Sequence, residues 1–353
     1  MIRTVTRILA AMSGGVDSSV AALLLKRGGY DVSGVTMCIG TPDEAGARRC
    51  CSPGDIIDAR RVCSTLGIEH HVISMSEEME REVIAPFVEE YMRGRTPNPC
   101  ILCNERIKFR ILFDRLSAAR FDMIATGHYA RLERRDGVLY LARPTDLDKD
   151  QTYFLYSVPR DRLERVLFPL GELSKDEVRG IAAEAGLSVF EKPESQDVCF
   201  WPEGGGTAFF ERRGIESKPG QIVSVDGVVV GTHRGIFNYT IGQRRGLGVS
   251  ASQPLYVIAI DPGHDRLIVG PEEYLGGSDL LASAVNFPPG EKGGRAEAKI
   301  RYAHRPAPCE FSLKGGRLEV RFDEPQRAIT PGQSVVVYRE GLVLGGGIIE
   351  AKR

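Results

Sequence analysis

The chain has 353 residues, a formal net charge of −1, 42% hydrophobic and 26% charged residues, which excludes a largely disordered protein. At ~150 residues per domain it should hold two or three domains. No apolar run nears the ~20 residues of a membrane span, and no secretory leader precedes the first motif. Eight cysteines are too sparse for a disulfide scaffold and read as reduced thiols of a cytoplasmic protein.

In chain order, 7–12 reads as an apolar strand running into Ser13-Gly14-Gly15-Val16-Asp17-Ser18-Ser19, with a helix over 19–27 stopped by Gly28-Gly29. A strand at 32–37, a helix at 55–66, a strand at 71–74 and a long helix at 76–92 follow. A loop over 94–104 then leads to a helix ending near 119 and a strand at 122–126. Strands and helices alternating at this spacing predict βαβ units and a parallel sheet. Asp136-Gly137 predicts a hairpin turn, and Ser174-Lys175-Asp176-Glu177 a capping box opening a helix that Gly186 ends. After about 200 the texture changes: Gly204-Gly205-Gly206 reads as flexible, and short β-rich pieces from Gln221 onward predict small β-domains or barrels. A linker is expected near 200–220 and a second boundary near 275–282.

Charge is segregated. Between Arg93 and Arg120 seven basic residues face two acidic ones, from Thr232 to Val249 there are three arginines and no acid, and from Glu291 to Arg327 nine basic residues face six acidic. Such islands could line a groove for a polyanion, or be ordinary solvated faces.

The 13–19 stretch carries the most chemistry. Its glycines permit close backbone approach, and the helix start offers amide donors and a positive dipole end to an anion. Neither a Walker-A lysine nor GxGxxG is present. SGGVDSS resembles the PP-loop of ATP pyrophosphatases, which split ATP to AMP and pyrophosphate while adenylating a substrate oxygen. That motif leaves amidation, argininosuccinate-type ligation and sulfur insertion open. The cysteines discriminate. Cys103, in Thr96-Pro97-Asn98-Pro99-Cys100-Ile101-Leu102-Cys103-Asn104, is expected near a helix N-terminus beside Arg106 and Lys108, a setting that favours thiolate. Cys199 closes Lys192-Pro193-Glu194-Ser195-Gln196-Asp197-Val198-Cys199. Two reactive thiols beside an ATP site suit persulfide chemistry. The bland alternative is that they are buried structural thiols. Cys38, Cys63 and Cys309 are read as structural, and Cys50-Cys51 stays undecided.

Together SGGVDSS, TPNPCILCN, ATGHYAR, KDQTYFLY, KPESQDVCF, YTIGQRRGLG and PGQSVVVY…LGGGII resemble, in order and over nearly the whole chain, the bacterial tRNA-specific 2-thiouridylase family. The resemblance implies an α/β PP-loop domain (adenine nucleotide alpha hydrolase-like, 1–204), a small central β-containing domain (205–278) and a C-terminal β-barrel (279–353). It implies an ATP site over Ala11, Met12, Ser13, Gly14, Gly15, Val16, Asp17 and Ser18, with Met37 and Gly127 against the adenine. Asn98, Pro99 and Cys100 would hold the target base, and His128, Lys149, Asp150, Gln151, Arg301, Tyr302 and Gln333 would touch tRNA at its anticodon stem-loop. Cys103 corresponds to the nucleophile and Cys199 to the persulfide carrier, with Mg²⁺ assisting pyrophosphate departure and a persulfide donor or cysteine desulfurase relay supplying sulfur. Many members carry Asp where this chain has Cys100. The resulting CxxC leaves a second route open, an iron–sulfur cluster on Cys100, Cys103 and Cys199. A PP-loop amide ligase and a non-catalytic tRNA-binding protein remain the readings from other classes.

Overall fold

Apolar strands punctuated by glycine build the first part of the molecule. The computed structural model describes residues 5–39, 53–193, 198–201 and 205–353, which fall into two units. The first draws on 1–83, 100–201 and 340–343. Its strands are β1 (Arg7–Ala11), β2 (Asp31–Cys38), β3 (His70–Ser74), β4 (Met123–Ala125), the hairpin β5 (Arg131–Arg135) and β6 (Val138–Ala142), and β7 (Val166–Leu167). Five of them form a parallel sheet in the order β3-β2-β1-β4-β7. The order reverses between β1 and β4, so the crevice above their carboxyl ends is where this architecture binds ligands. Helices Val16–Arg27, Pro53–Leu66 and Lys175–Glu184 bury Val20, Leu23, Val62 and Val178 in one apolar cluster with Ile8 and Ala10.

Three local expectations need correction. The 76–92 helix is interrupted by a wide π turn, Glu80–Ile84. Pro86 follows it and has no amide to bond the Glu82 carbonyl, which instead accepts from Arg106 at 3.2 Å. The helix expected after Asn104 begins at Pro99, because proline suits a first helical position; the CxxC is therefore helical rather than part of a loop. Gly205–Arg212 is a helix where flexibility was expected. Burial of Phe209 and Phe210 against Phe87 and Phe237 outweighs the glycines' helix cost.

Asp136 and Gly137 turn β5 into β6 with φ of 49° and 79°, the backbone of a type I′ hairpin. The hairpin does not join the parallel sheet; β6 pairs with Leu342 and Val343.

The second unit draws on 84–99, 202–339 and 344–353. A four-stranded sheet of β8 (Gly220–Ser224), β9 (Val229–His233), β10 (Tyr256–Asp261) and β11 (Arg266–Gly270), ordered β10-β11-β8-β9, encloses Ile222, Val257, Leu267 and Val269. Strands β12 (Gly276–Asn286), β13 (Gly293–Lys299), β14 (Ala307–Lys314), β15 (Arg317–Arg327), β16 (Ser334–Arg339) and β17 (Leu342–Lys352) run in the order β12-β15-β14-β13-β16-β17. Pairing of β12 with β17 closes them into a barrel, which removes the exposed sheet edge. Among the described residues, no helix is long and apolar enough to cross a membrane.

Candidate nucleotide and sulfur-transfer site

The loop after β1 delivers its residues to the switch point. Gly14 has φ +75°, and a Cβ there would lie 2.3 Å from the Asp55 carbonyl oxygen, so only glycine fits against helix Pro53–Leu66. Gly15 caps helix Val16–Arg27 without a side-chain bond, leaving first-turn amides to an incoming anion. Ser13 and Ser18 hydroxyls lie 3.1 Å apart, and Ser18 Oγ accepts from the Ser13 amide at 3.1 Å. Ser19 Oγ donates back to the Gly15 carbonyl at 2.8 Å. Ala11 ends β1, whereas Met12 and Val16 point into the core. Met37 lies near the end of β2 and is half-buried.

The loop after β4 closes over the same helix start. A Cβ on Gly127 would sit 2.7 Å from the Asp17 carbonyl carbon and the Ser18 amide nitrogen. Next to it, His128 Nδ1 is 2.7 Å from Thr126 Oγ1, and its ring packs beside Phe109 and Phe168. Burial, aided by Lys108, holds its proton affinity well below the ordinary histidine value, so the imidazole is neutral. Tyr129 OH donates to Asp17 Oδ1 at 2.9 Å.

Sequence reasoning missed two lysines that serve this loop. Lys175 Nζ contacts both Asp17 oxygens at 2.7 and 2.9 Å. Lys192 Nζ contacts the Gly14 carbonyl at 3.0 Å, Asp55 at 2.7 Å and Asp58 at 2.7 Å. Lys175 did carry a signal: a cation in the first turn of a helix opposes the macrodipole and calls for a specific anionic partner.

The cysteine segment is anchored nearby in the same unit. Cys100 lies in helix Pro99–Leu102 and is exposed. Cys103 opens a π-wound stretch, Cys103–Leu112, a winding frequent at functional sites. It stands a full turn inside the helix rather than at its N-terminus. Arg106, expected beside it as a stabilising charge, contacts the Glu82 carbonyl and carboxylate. Asn104 Nδ2 donates to the Phe154 carbonyl at 2.9 Å, tying this helix to the loop that carries Lys149, Asp150 and Gln151. In that loop Gln151 Oε1 accepts the Tyr129 amide at 3.0 Å. Asp150 is 2% exposed and accepts from the Thr152 amide at 2.9 Å and Arg143 at 2.8 Å, so it shapes the loop. Cys199 is half-buried. Among the described residues no three His, Cys, Asp or Glu side chains are arranged to hold a metal. Cys100, Cys103 and Cys199 are all described, and the cluster alternative does not fit their placement. Cys63 and Cys309 are buried thiols pushed up to about 11 and about 12 by desolvation, as structural cysteines should be. Cys50 and Cys51 lie outside the described residues.

In the other unit, Asn98 is half-buried and Pro99 buried. Gln333 Nε2 donates to the Thr96 carbonyl at 2.8 Å, holding the approach to Asn98. Arg301 bonds the Ile241 carbonyl at 2.9 Å and Thr330 Oγ1 at 2.6 Å. Tyr302 is exposed with Lys299 over its ring.

Residues 6–203, 208–271 and 278–349 match, in turn, the tRNA methyl transferase HUP domain, the tRNA methyl transferase PRC-barrel domain and the aminomethyltransferase beta-barrel domain. The chain is 50% identical over 344 residues to tRNA-specific 2-thiouridylase MnmA 1 of Syntrophus aciditrophicus, covering 98% of this chain and 92% of that one. It belongs to the bacterial tRNA-specific 2-thiouridylase family. Proteins named tRNA-specific 2-thiouridylase MnmA from Geobacter metallireducens (47% identity, 98% of this chain, 97% of the relative) and Syntrophotalea carbinolica (48%, 97% and 98%) are similar throughout. The family's PP-loop domain accounts for the parallel sheet and its glycine loop, and the two β-rich domains for the remaining strands.

Proposed function

We propose that the chain is a tRNA-uridine 2-sulfurtransferase that uses ATP to exchange O2 of the wobble uridine for sulfur, giving 2-thiouridine, AMP and pyrophosphate. The observation that carries this is the pairing, in one unit, of an uncapped Gly15 helix start closed by Gly127 with a Cys103 helix tied through Asn104 to the 150–154 loop. Family membership selects sulfur insertion from among the PP-loop reactions.

In this reading Ala11–Ser18, Met37 and Gly127 hold MgATP. Uracil O2 attacks the α-phosphate and pyrophosphate leaves, so that O2 departs later as AMP. The terminal sulfur of a Cys199 persulfide attacks C2, AMP leaves, and the Cys103 thiolate attacks Cys199 Sγ. That closes a Cys103–Cys199 disulfide and leaves the outer sulfur on C2. A dithiol reductant restores both thiols, and a persulfide donor or desulfurase relay reloads Cys199. Asn98, Pro99, Cys100, His128, Lys149, Gln151, Arg301, Tyr302 and Gln333 are assigned to tRNA, with Asp150 positioning its neighbours. The domain limits that go with this reading are 1–204, 205–278 and 279–353.

The test supplies metal-free protein with unmodified tRNA, MgATP and a persulfide donor, and weighs the digested nucleosides. ATP-dependent 2-thiouridine is expected, lost in Cys103→Ser and Cys199→Ser while tRNA affinity is kept. Full turnover by Cys199→Ser refutes the persulfide role. A methylated uridine, or AMP release without tRNA, refutes thiolation itself.

A further inference from the structure

The PP-loop contains no lysine, yet Lys192 reaches it from a segment 178 residues later. Its ammonium meets the Gly14 carbonyl and the carboxylates of Asp55 and Asp58. The ammonium is spent on these two carboxylates, of which Asp58 also lies 3.9 Å from Arg61, so Lys192 does not bring spare positive charge to a polyphosphate. Burial alone would lower the affinity of Lys192 for its proton, but the two carboxylates outweigh it and raise it above the ordinary value. The ammonium is therefore a permanent donor.

What it can set is the direction of one peptide. The Gly14–Gly15 unit is planar, and its C=O and N–H point in opposite directions. Glycine on both sides leaves two orientations of that plane accessible. With the carbonyl drawn to Lys192, the Gly15 N–H faces the other way, with Ser13 Oγ as a distant acceptor at 3.4 Å. It then joins the uncapped amides of the Val16 helix turn. In the opposite orientation a carbonyl oxygen would face the bound anion. We infer that Lys192 is a positioning residue for ATP: braced by Asp55 and Asp58, it holds the Gly14 carbonyl away from the phosphates so that the Gly15 amide can bind them. This rests on the ATP-dependent reading above.

The test uses the full chain, with MgATP affinity measured by calorimetry without tRNA, alongside KM for ATP and the turnover rate for thiolation of unmodified tRNA. A hydrogen bond from an amide to a charged phosphate predicts that Lys192→Met weakens ATP binding and raises KM by about 10- to 100-fold, with the turnover rate changed by less than about threefold. Lys192→Arg, which can still donate to the carbonyl, should recover most of the affinity. The Asp55→Asn/Asp58→Asn double variant gives a second, opposed reading. If Lys192 acted by attracting phosphate, removing both acids would tighten ATP binding; positioning requires that it weaken. Unchanged affinity in Lys192→Met, or tightening in the double variant, overturns the inference. Wild-type protein that binds ATP but makes no 2-thiouridine would refute the functional reading while leaving the calorimetric comparison intact.

Discussion

Replacing Lys175 by Met tests how the nucleotide loop is held to its surroundings. Lys175 Nζ makes two contacts with Asp17, at 2.7 and 2.9 Å, and the two side chains are 10% and 29% exposed. Exposed ion pairs contribute ~0.2–1 kcal/mol, and breaking a fully buried one costs ~3–5 kcal/mol. Asp17 would keep the Tyr129 hydroxyl at 2.9 Å and its place at the positive end of a helix, worth ~0.3–1 kcal/mol. The expected loss is therefore intermediate, about 2–3 kcal/mol. Asp17→Asn should cost about as much, because it takes away the negative charge to which both contacts of the part-buried ammonium are made. The double variant, with no unpaired charge, should cost about 1–2 kcal/mol, so the coupling energy should reach about 2 kcal/mol or more. The chain has one tryptophan, Trp201, and it belongs to the unit that holds this pair; its fluorescence during urea unfolding is the natural assay. A coupling below ~0.5 kcal/mol would mean the two residues act independently and would refute the clamp.

Gly127→Ala should cost about 1–3 kcal/mol and weaken ATP binding, because its Cβ would meet the Asp17–Ser18 backbone at 2.7 Å. Gly180→Ala, within helix Lys175–Glu184 and with nothing within 4 Å, should instead stabilise by about 0.5–1 kcal/mol; urea unfolding separates the two. Asp150→Ala removes an acceptor of the Thr152 amide and of Arg143, for about 1–3 kcal/mol, and should lower tRNA affinity in a filter-binding assay while calorimetric ATP affinity holds. Because burial depresses His128 below its ordinary 6.5, its stabilising contribution is complete above that value and is lost as pH falls through the depressed one. Unfolding free energy should thus decline from about pH 6.5 downward, and more steeply in wild type than in His128→Asn; parallel declines would refute the assignment.

The geometry of the 13–19 loop was legible because its determinants are local. A strand ending in Ser-Gly-Gly before a helix specifies turn, amide cradle and dipole within seven residues, and the capping box at Ser174 formed with both of its bonds. What stayed hidden is non-local. Asp136-Gly137 announced a hairpin but not its partner, since β6 finds Leu342 and Val343 some two hundred residues later. Pro99 read as loop because proline more often breaks helices than starts them. The roles of Lys175 and Lys192 stayed hidden because their partners, Asp17 and Asp55, lie 158 and 137 positions away.

Charge counting shows the same limit from the other side. Of the seven basic residues between Arg93 and Arg120, Arg93 and Arg95 are engaged by Glu90, Arg106 by Glu82 and Arg115 by Glu78. In the third island Arg295, Arg321 and Arg327 pair with Asp323, Asp279 and Glu272. The acid partners Glu78, Glu82, Glu90, Glu272 and Asp279 fall outside the windows in which the excess was counted, so the excess overstates the positive field. A phosphate backbone is held by cations that release counterions on binding, and an arginine already bonded to a carboxylate has less to offer. The residues assigned to tRNA follow a different pattern: Gln333 and Gln151 spend their side chains on the Thr96 carbonyl and the Tyr129 amide. These bonds shape the segments leading to Asn98 and His128, so in the proposed reading recognition rests as much on how loops are held as on how much charge they carry.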